Sequence, residues 1–239
     1  MRRLTTCFAT VFGLALLAPS TASAQQQLNF FLGGFTARSL DARGSDDVLV
    51  ADSAGSYGLA TSGQSQGIDV SEFNGFTFGG EYLVGLGPHF EAEAGISYYA
   101  KTVPTSYANF TDQSGNDVQQ DLRLRIVPFT ATVRWLPIGR EGITPYIGAG
   151  VGVFAYRYSE TGSFVDSTDN SIYTANYVGS GTATGPVILG GVRVPVGNFS
   201  VGGEIRYQNA KGDLSTTDFL APKVDLTGFN YLVNFGVKF

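Results

Sequence analysis

The chain has 239 residues and a formal charge of −5; only 15% of its residues are charged, and it holds 32 glycines, 18 phenylalanines and 12 tyrosines. Charge falls well below the ~25% of an average globular chain, and the aromatic content is too high for disorder. The composition lacks the Gly-X-Y period of collagen and the helix-forming bias of a bundle, and the acidic balance speaks against a nucleic-acid surface.

Residues 1–24 read as a secretory signal peptide. Arg2 and Arg3 form a basic start, Phe8 to Leu17 an apolar core, and Ala22-Ser23-Ala24 a small-x-small cleavage site. The lone Cys7 lies inside it, so 25–239 is expected as one domain without disulfides. The single histidine and the missing cysteines leave no basis for a zinc site, and neither a metal nor a cofactor is expected.

From there the chain alternates with a period of two, the signature of strands with one apolar face. Eight segments carry it: 27–38, 71–86, 89–102, 121–136, 143–158, 183–195, 199–210 and 224–239. The second sets Phe76, Phe78, Tyr82 and Val84 on one face; the last sets Phe229, Tyr231, Val233, Phe235, Val237 and Phe239 on one face. The fourth segment is expected to break phase near Val127-Pro128, with a bulge or local distortion, because proline cannot donate to a ladder. The sixth is the weakest pattern: Val187 and Leu189 oppose Ile188 and Val192.

Short links (87–88, 137–142, 196–198) alternate with long polar ones (39–70, 103–120, 159–182, 211–223). That layout, with a continuous aromatic face, predicts an all-β, eight-stranded, antiparallel, up-and-down transmembrane β-barrel with both ends on the periplasmic side. A soluble sandwich or lipocalin-like barrel also alternates, but it would face its charges outward. Tyr98, Trp135, Tyr146 and Tyr156 near strand ends suit an interface girdle.

With these patterns in view, the chain resembles the Gram-negative outer-membrane β-barrel domain family, similar to the OmpA barrel domain, the opacity-type proteins and OmpW. The closing Tyr231, Val233, Phe235, Val237 and Phe239 carry the likeness, as do Pro128 to Thr132 and Pro145 to Gly152. The resemblance implies residence in the cell outer membrane, contact with its lipids and lipopolysaccharide, and insertion by the barrel assembly machinery, for which the terminal residues would be the signal. A monomer is expected, and no assembled triad suggests an enzyme.

The candidate site is a lumenal charge network of Glu81, Glu91, Glu93, Arg125, Arg134, Glu204, Arg206 and Lys238, with Arg123 and Lys101 nearer the outer rim. Glu81 and Glu93 should approach across the 87–88 turn, which requires a cation between them; Arg125 and Arg206 are the expected partners. Two readings stand open. A paired network would plug an eight-stranded lumen that is only wide enough for side chains. A partly paired one would leave a narrow channel for small or hydrophobic solutes. Gly148, Gly150 and Gly152 are expected to line one lumenal stripe and make room for large side chains. His89, at the periplasmic turn, lacks the partners of a catalytic base. Residues 48–60 would extend the sheet as a small hairpin or cover the mouth. The main expected role is a structural or surface-interaction barrel.

Overall fold

The computed structural model describes residues 26–62 and 64–239; the expected signal peptide, with Cys7, lies outside the described residues. Eight long strands close a ring: β1 (Gln26–Ala37), β3 (Gly75–Gly85), β4 (Phe90–Thr111), β5 (Asp117–Trp135), β6 (Thr144–Val165), β7 (Ile172–Val196), β8 (Phe199–Gln208) and β11 (Gly228–Lys238). Each pairs antiparallel with its neighbours, and β1 closes on β11 from Gln27↔Lys238 to Ala37↔Gly228. Neighbouring strands are therefore hydrogen-bonded around the whole ring at the height of the short strands, which a wall facing lipid requires. The short connections turn tightly. Gly197 sits in the left-handed region (φ 62°) of the 197–198 turn, a conformation open to glycine at little cost.

The ring is lopsided. β4, β6 and β7 have 22, 22 and 25 residues, whereas β1, β3, β8 and β11 have 10 to 12. The expected links 103–120 and 159–182 are thus mostly strand, continued as tall hairpins whose turns occupy 112–116 and 166–171. The β4–β5 register shifts between Ser106 and Thr111, so the bulge lies in the hairpin; beside Pro128 the distortion is a local gap in the β4–β5 ladder, where the pairing skips Ser97 and Tyr98, opposite Pro128 and Val127. Around Pro128 the alternation does not break: even-numbered residues from Val118 to Leu136 point inward without interruption, and the β5–β6 register runs straight through Pro128↔Phe154.

Connections from the short strands fold into the space these hairpins enclose. Residues 38–74 hold a helix (Val48–Asp52) and strand β2 (Leu59–Thr61), which pairs with β4 at 105–107. Residues 209–227 hold the ribbon β9 (Lys211–Asp213) with β10 (Lys223–Asp225). Asp47 caps the helix, accepting from the Leu49 amide at 3.1 Å, and also accepts from Arg43 and from the Asp225 amide, which ties the two connections together. Of the two expectations for 48–60, covering the mouth is the one that fits, with a single added strand in place of a hairpin.

Candidate functional site

The wall divides at mid-height. Below, outward positions are apolar: Phe129, Val133 and Trp135 on β5, Ile147 and Val151 on β6, and Phe229, Tyr231, Val233 and Phe235 on β11 are all exposed. On β5 this column reaches from Trp135 up to Val127, roughly 26 Å of strand at ~3.3 Å per residue, enough once tilted for most of a ~25 Å lipid-facing band. Inward positions at this level are polar. Above, the pattern inverts. Leu122, Leu124 and Ile126 point inward and pack with Val48, Leu49, Phe73, Val103, Phe154, Tyr158, Phe219 and Leu226 in one buried apolar core, while Asp121, Arg123 and Arg125 point outward.

Five charged side chains form a knot in the lower lumen. Arg134 reaches Glu81 (2.8 Å), Glu93 (3.0 Å) and Glu204 (2.9 Å); Arg206 reaches Glu81 (2.8 Å), Glu93 (3.2 Å) and Glu204 (2.6 Å). Each carboxylate is shared by both guanidiniums, the arrangement that lets like charges sit close. Neutral donors add to the carboxylates, Asn29 to Glu81 at 2.8 Å, Thr132 to Glu93 at 2.6 Å and the Tyr146 hydroxyl to Glu204 at 3.0 Å, while the Arg134 Nη1 is left without a hydrogen-bond partner among the described residues. The Arg134 guanidinium also lies 4.6 Å from the Tyr146 ring centroid. The side chains of Arg134 and all three glutamates are 0% exposed, so no water-sized path passes among them. Gly148 sits where a Cβ would stand 2.8 Å from the Val133 carbonyl oxygen, 3.0 Å from Leu189 and 3.2 Å from the Arg134 Cγ, so the backbone approach as much as the arginine calls for glycine.

A second layer lies nearer the periplasm. Arg193 grips Glu91 with two hydrogen bonds of 2.7 and 3.2 Å, Arg140 approaches the same carboxylate at 3.9 Å, and half-buried Lys238 shares the lumenal face of β11 at this rim.

Of the eight network residues, Glu81, Glu93, Arg134, Glu204 and Arg206 come together, Glu91 and Lys238 join the lower layer, and Arg125 does not belong. Arg125 and Arg123 are exposed on the outer wall, because they stand above the lipid band, where water lies outside the barrel. Arg134 takes the place expected of Arg125. Two of the four girdle residues are also corrected. Tyr98 and Trp135 are exposed outward, but Tyr146 is buried in the knot and Tyr156 in the upper core, where even-numbered β6 residues point inward. Tyr231, Val233, Phe235 and Phe239 line the outer face. Lys101 keeps inward parity, half-buried. Sequence reasoning missed Arg193, whose odd-numbered face includes Val187 and Leu189; apolar residues on a lumenal face hid the charge below them. His89 faces the Leu136 carbonyl at 2.9 Å in the periplasmic turn.

The head carries its own polar feature. Asp52 and Glu160 are buried side by side at the floor of an open cleft of about 530 Å³, lined also by Tyr57, Tyr107, Phe164 and Tyr177. The Tyr158 hydroxyl bonds Asp52 at 3.3 Å. Burial raises both acids, pushing Glu160 up to about 7 against the hydrogen bonding of Tyr158 and Asp52, while the Glu160 charge adds to the rise at Asp52. Among the described residues no three His, Cys, Asp or Glu side chains converge as a metal site would need.

No family model and no curated protein matches the chain in sequence. Its fold matches solved structures. The outer-membrane protein OprG from Pseudomonas aeruginosa aligns over 90% of this chain and 96% of its own, with a TM-score of 0.52 and 12% identity. The fold is that of the Gram-negative outer-membrane β-barrels. Neisserial surface protein A (12% identity, 90% of this chain and 97% of its own, TM-score 0.42) and Ail, the attachment invasion locus protein of Yersinia pestis (11% identity, 90% and 99%, TM-score 0.41), are more distant matches. The barrel belongs in the outer membrane, where the closed ring leaves no edge in lipid and the exposed apolar belt faces it.

Proposed function

We propose that the protein is a closed structural and surface-interaction barrel: a non-conducting anchor that holds a folded head at the cell exterior. The observation that carries this reading is the dry knot of Arg134 and Arg206 among Glu81, Glu93 and Glu204, stacked beneath the apolar core of the head. Two seals in series, of opposite chemistry, leave a solute no continuous path. The interaction surface is the head, where the aromatic-walled cleft opens outward. Because β1 and β11 close the ring, no strand edge remains at the height of the short strands, which favours a monomer within the membrane. The outward Tyr231, Val233, Phe235, Val237 and Phe239 supply the apolar strand face that a barrel assembly machinery would read, and the 1–24 segment the export signal.

Planar-bilayer recording tests the reading. The wild type is expected to show only rare, small openings, and Arg206→Ala more frequent ones. A large, steady wild-type conductance unaffected by Arg206→Ala would replace the anchor with the narrow-channel alternative.

A further inference from the structure

Arg123, Arg125 and Arg157 stand together on the outer wall, around a shallow hollow of about 250 Å³ lined by these three side chains. Arg125 on β5 and Arg157 on β6 are direct register partners, and Arg123 lies two positions further up β5. All three are exposed, and among the described residues none makes an ion pair; Asp121, outward above Arg123, pairs with none of them. Like charges directly opposite on neighbouring strands repel. In a chain with an excess of acidic residues, an uncompensated arginine trio is a local arrangement that an anion would relieve.

Its height decides which anion. Directly below the trio the outer faces of the same strands become apolar: Val127 and Phe129 on β5, Val153 and Val151 on β6. The trio therefore lies where the hydrocarbon ends and the headgroups of the outer leaflet begin. We propose that it is a binding site for the phosphates of a phosphorylated glycolipid of the outer leaflet. The guanidinium forks take the phosphate oxygens in pairs, as arginine does better than lysine. The acyl chains of the same molecule lie on the apolar column beneath. Anchoring in the leaflet holds the phosphate at the site at high effective concentration, an advantage a free anion lacks.

The experiment uses the full folded chain in phosphatidylcholine vesicles containing either diphosphorylated or dephosphorylated lipid A. After extraction into mild detergent and gel filtration, lipid A retained per protein is counted. The wild type should retain ~10-fold more of the diphosphorylated form, and Arg123→Gln/Arg125→Gln/Arg157→Gln should lose that excess. Heat-modifiability on gels should show the variant still folded, since none of the three touches the knot; if it fails to fold, Arg157→Gln alone is expected to lose roughly threefold. Retention by the folded variants equal to the wild type would overturn the site. Release of the bound lipid by excess inorganic phosphate would overturn the lipid assignment in favour of a simple anion site.

Discussion

The lower and upper halves of this barrel are built by the same strands with opposite chemistry. On β5, Thr130, Thr132 and Arg134 face inward below, and Leu122, Leu124 and Ile126 face inward above, all on one unbroken even-numbered face. The lower half lies in lipid, so its apolar side is outside and its polar groups must satisfy one another within. The upper half lies in water and is arranged like a soluble domain, with an apolar interior and charges outside. The surroundings, not the strand, set which face is which. The halves should also fail differently: the lower depends on completed ion pairs, the upper on packing.

Arg134→Ala should have the largest effect. It strands three carboxylates in a dry lumen, and breaking such a network by removing one partner costs ~3–5 kcal/mol. Urea unfolding of the reconstituted protein measures it, and a loss below ~1 kcal/mol would show that water already reaches the knot. Leu124→Ala should cost about 2–4 kcal/mol but only in the head. A protease site placed at Asp169 would then be cut faster while the heat-modifiable barrel persists, and a site at Gly139 in the periplasmic turn should stay uncut in intact cells. Simultaneous loss of both halves would show that they unfold as one unit.

A smaller effect is pH-dependent and confined to the head. The Glu160 carboxyl is held above its ordinary value, to about 7, by burial, so the folded head keeps a proton that the unfolded chain gives up. Its stability is therefore fully present below about pH 4.5 and lost as pH rises through 7, by ~1–3 kcal/mol. Glu160→Gln should flatten that slope in thermal melts read by head proteolysis, and an unchanged slope would assign it elsewhere. Deleting Phe239 is expected to lower the outer-membrane yield of folded protein while leaving its melting temperature within a few degrees. Unchanged yield would remove the terminal residue from the assembly signal.

All eight barrel strands were legible because period-two alternation survives whichever face is apolar. Their upper ends were not. Past the lipid band, Val103, Thr105 and Tyr107 still alternate with Thr102, Pro104 and Ser106, but the exposed face turns polar and the segment reads as a loop. The same inversion explains Arg125. Treating a charged residue as lumenal holds only where lipid lies outside, and Arg125 is two residues above the last apolar outward position, Val127. Tyr146 failed for a related reason: a tyrosine near a strand end suits either a girdle or a buried hydrogen bond, and the parity of β6 chose the latter. The pairing of Glu81 with Glu93 through arginine was legible, because two inward carboxylates on adjacent strands require a cation.

The lopsided wall has a consequence for where this protein can vary. Long connections between strands are ordinarily the freest parts of a surface. Here residues 38–74 and 209–227 supply Val48, Leu49, Phe73, Phe219 and Leu226 to the head core, so they are bound by packing as tightly as any strand. The hairpin tips are held outside that core, 112–116 by its own Asp112 turn and 166–171 by its Asp166 turn and one exposed tether, the Tyr57 hydroxyl donating to Asn170 at 2.8 Å. Insertions, foreign epitopes and the drift that evades recognition from outside should therefore collect at two narrow tips and spare the longest connections.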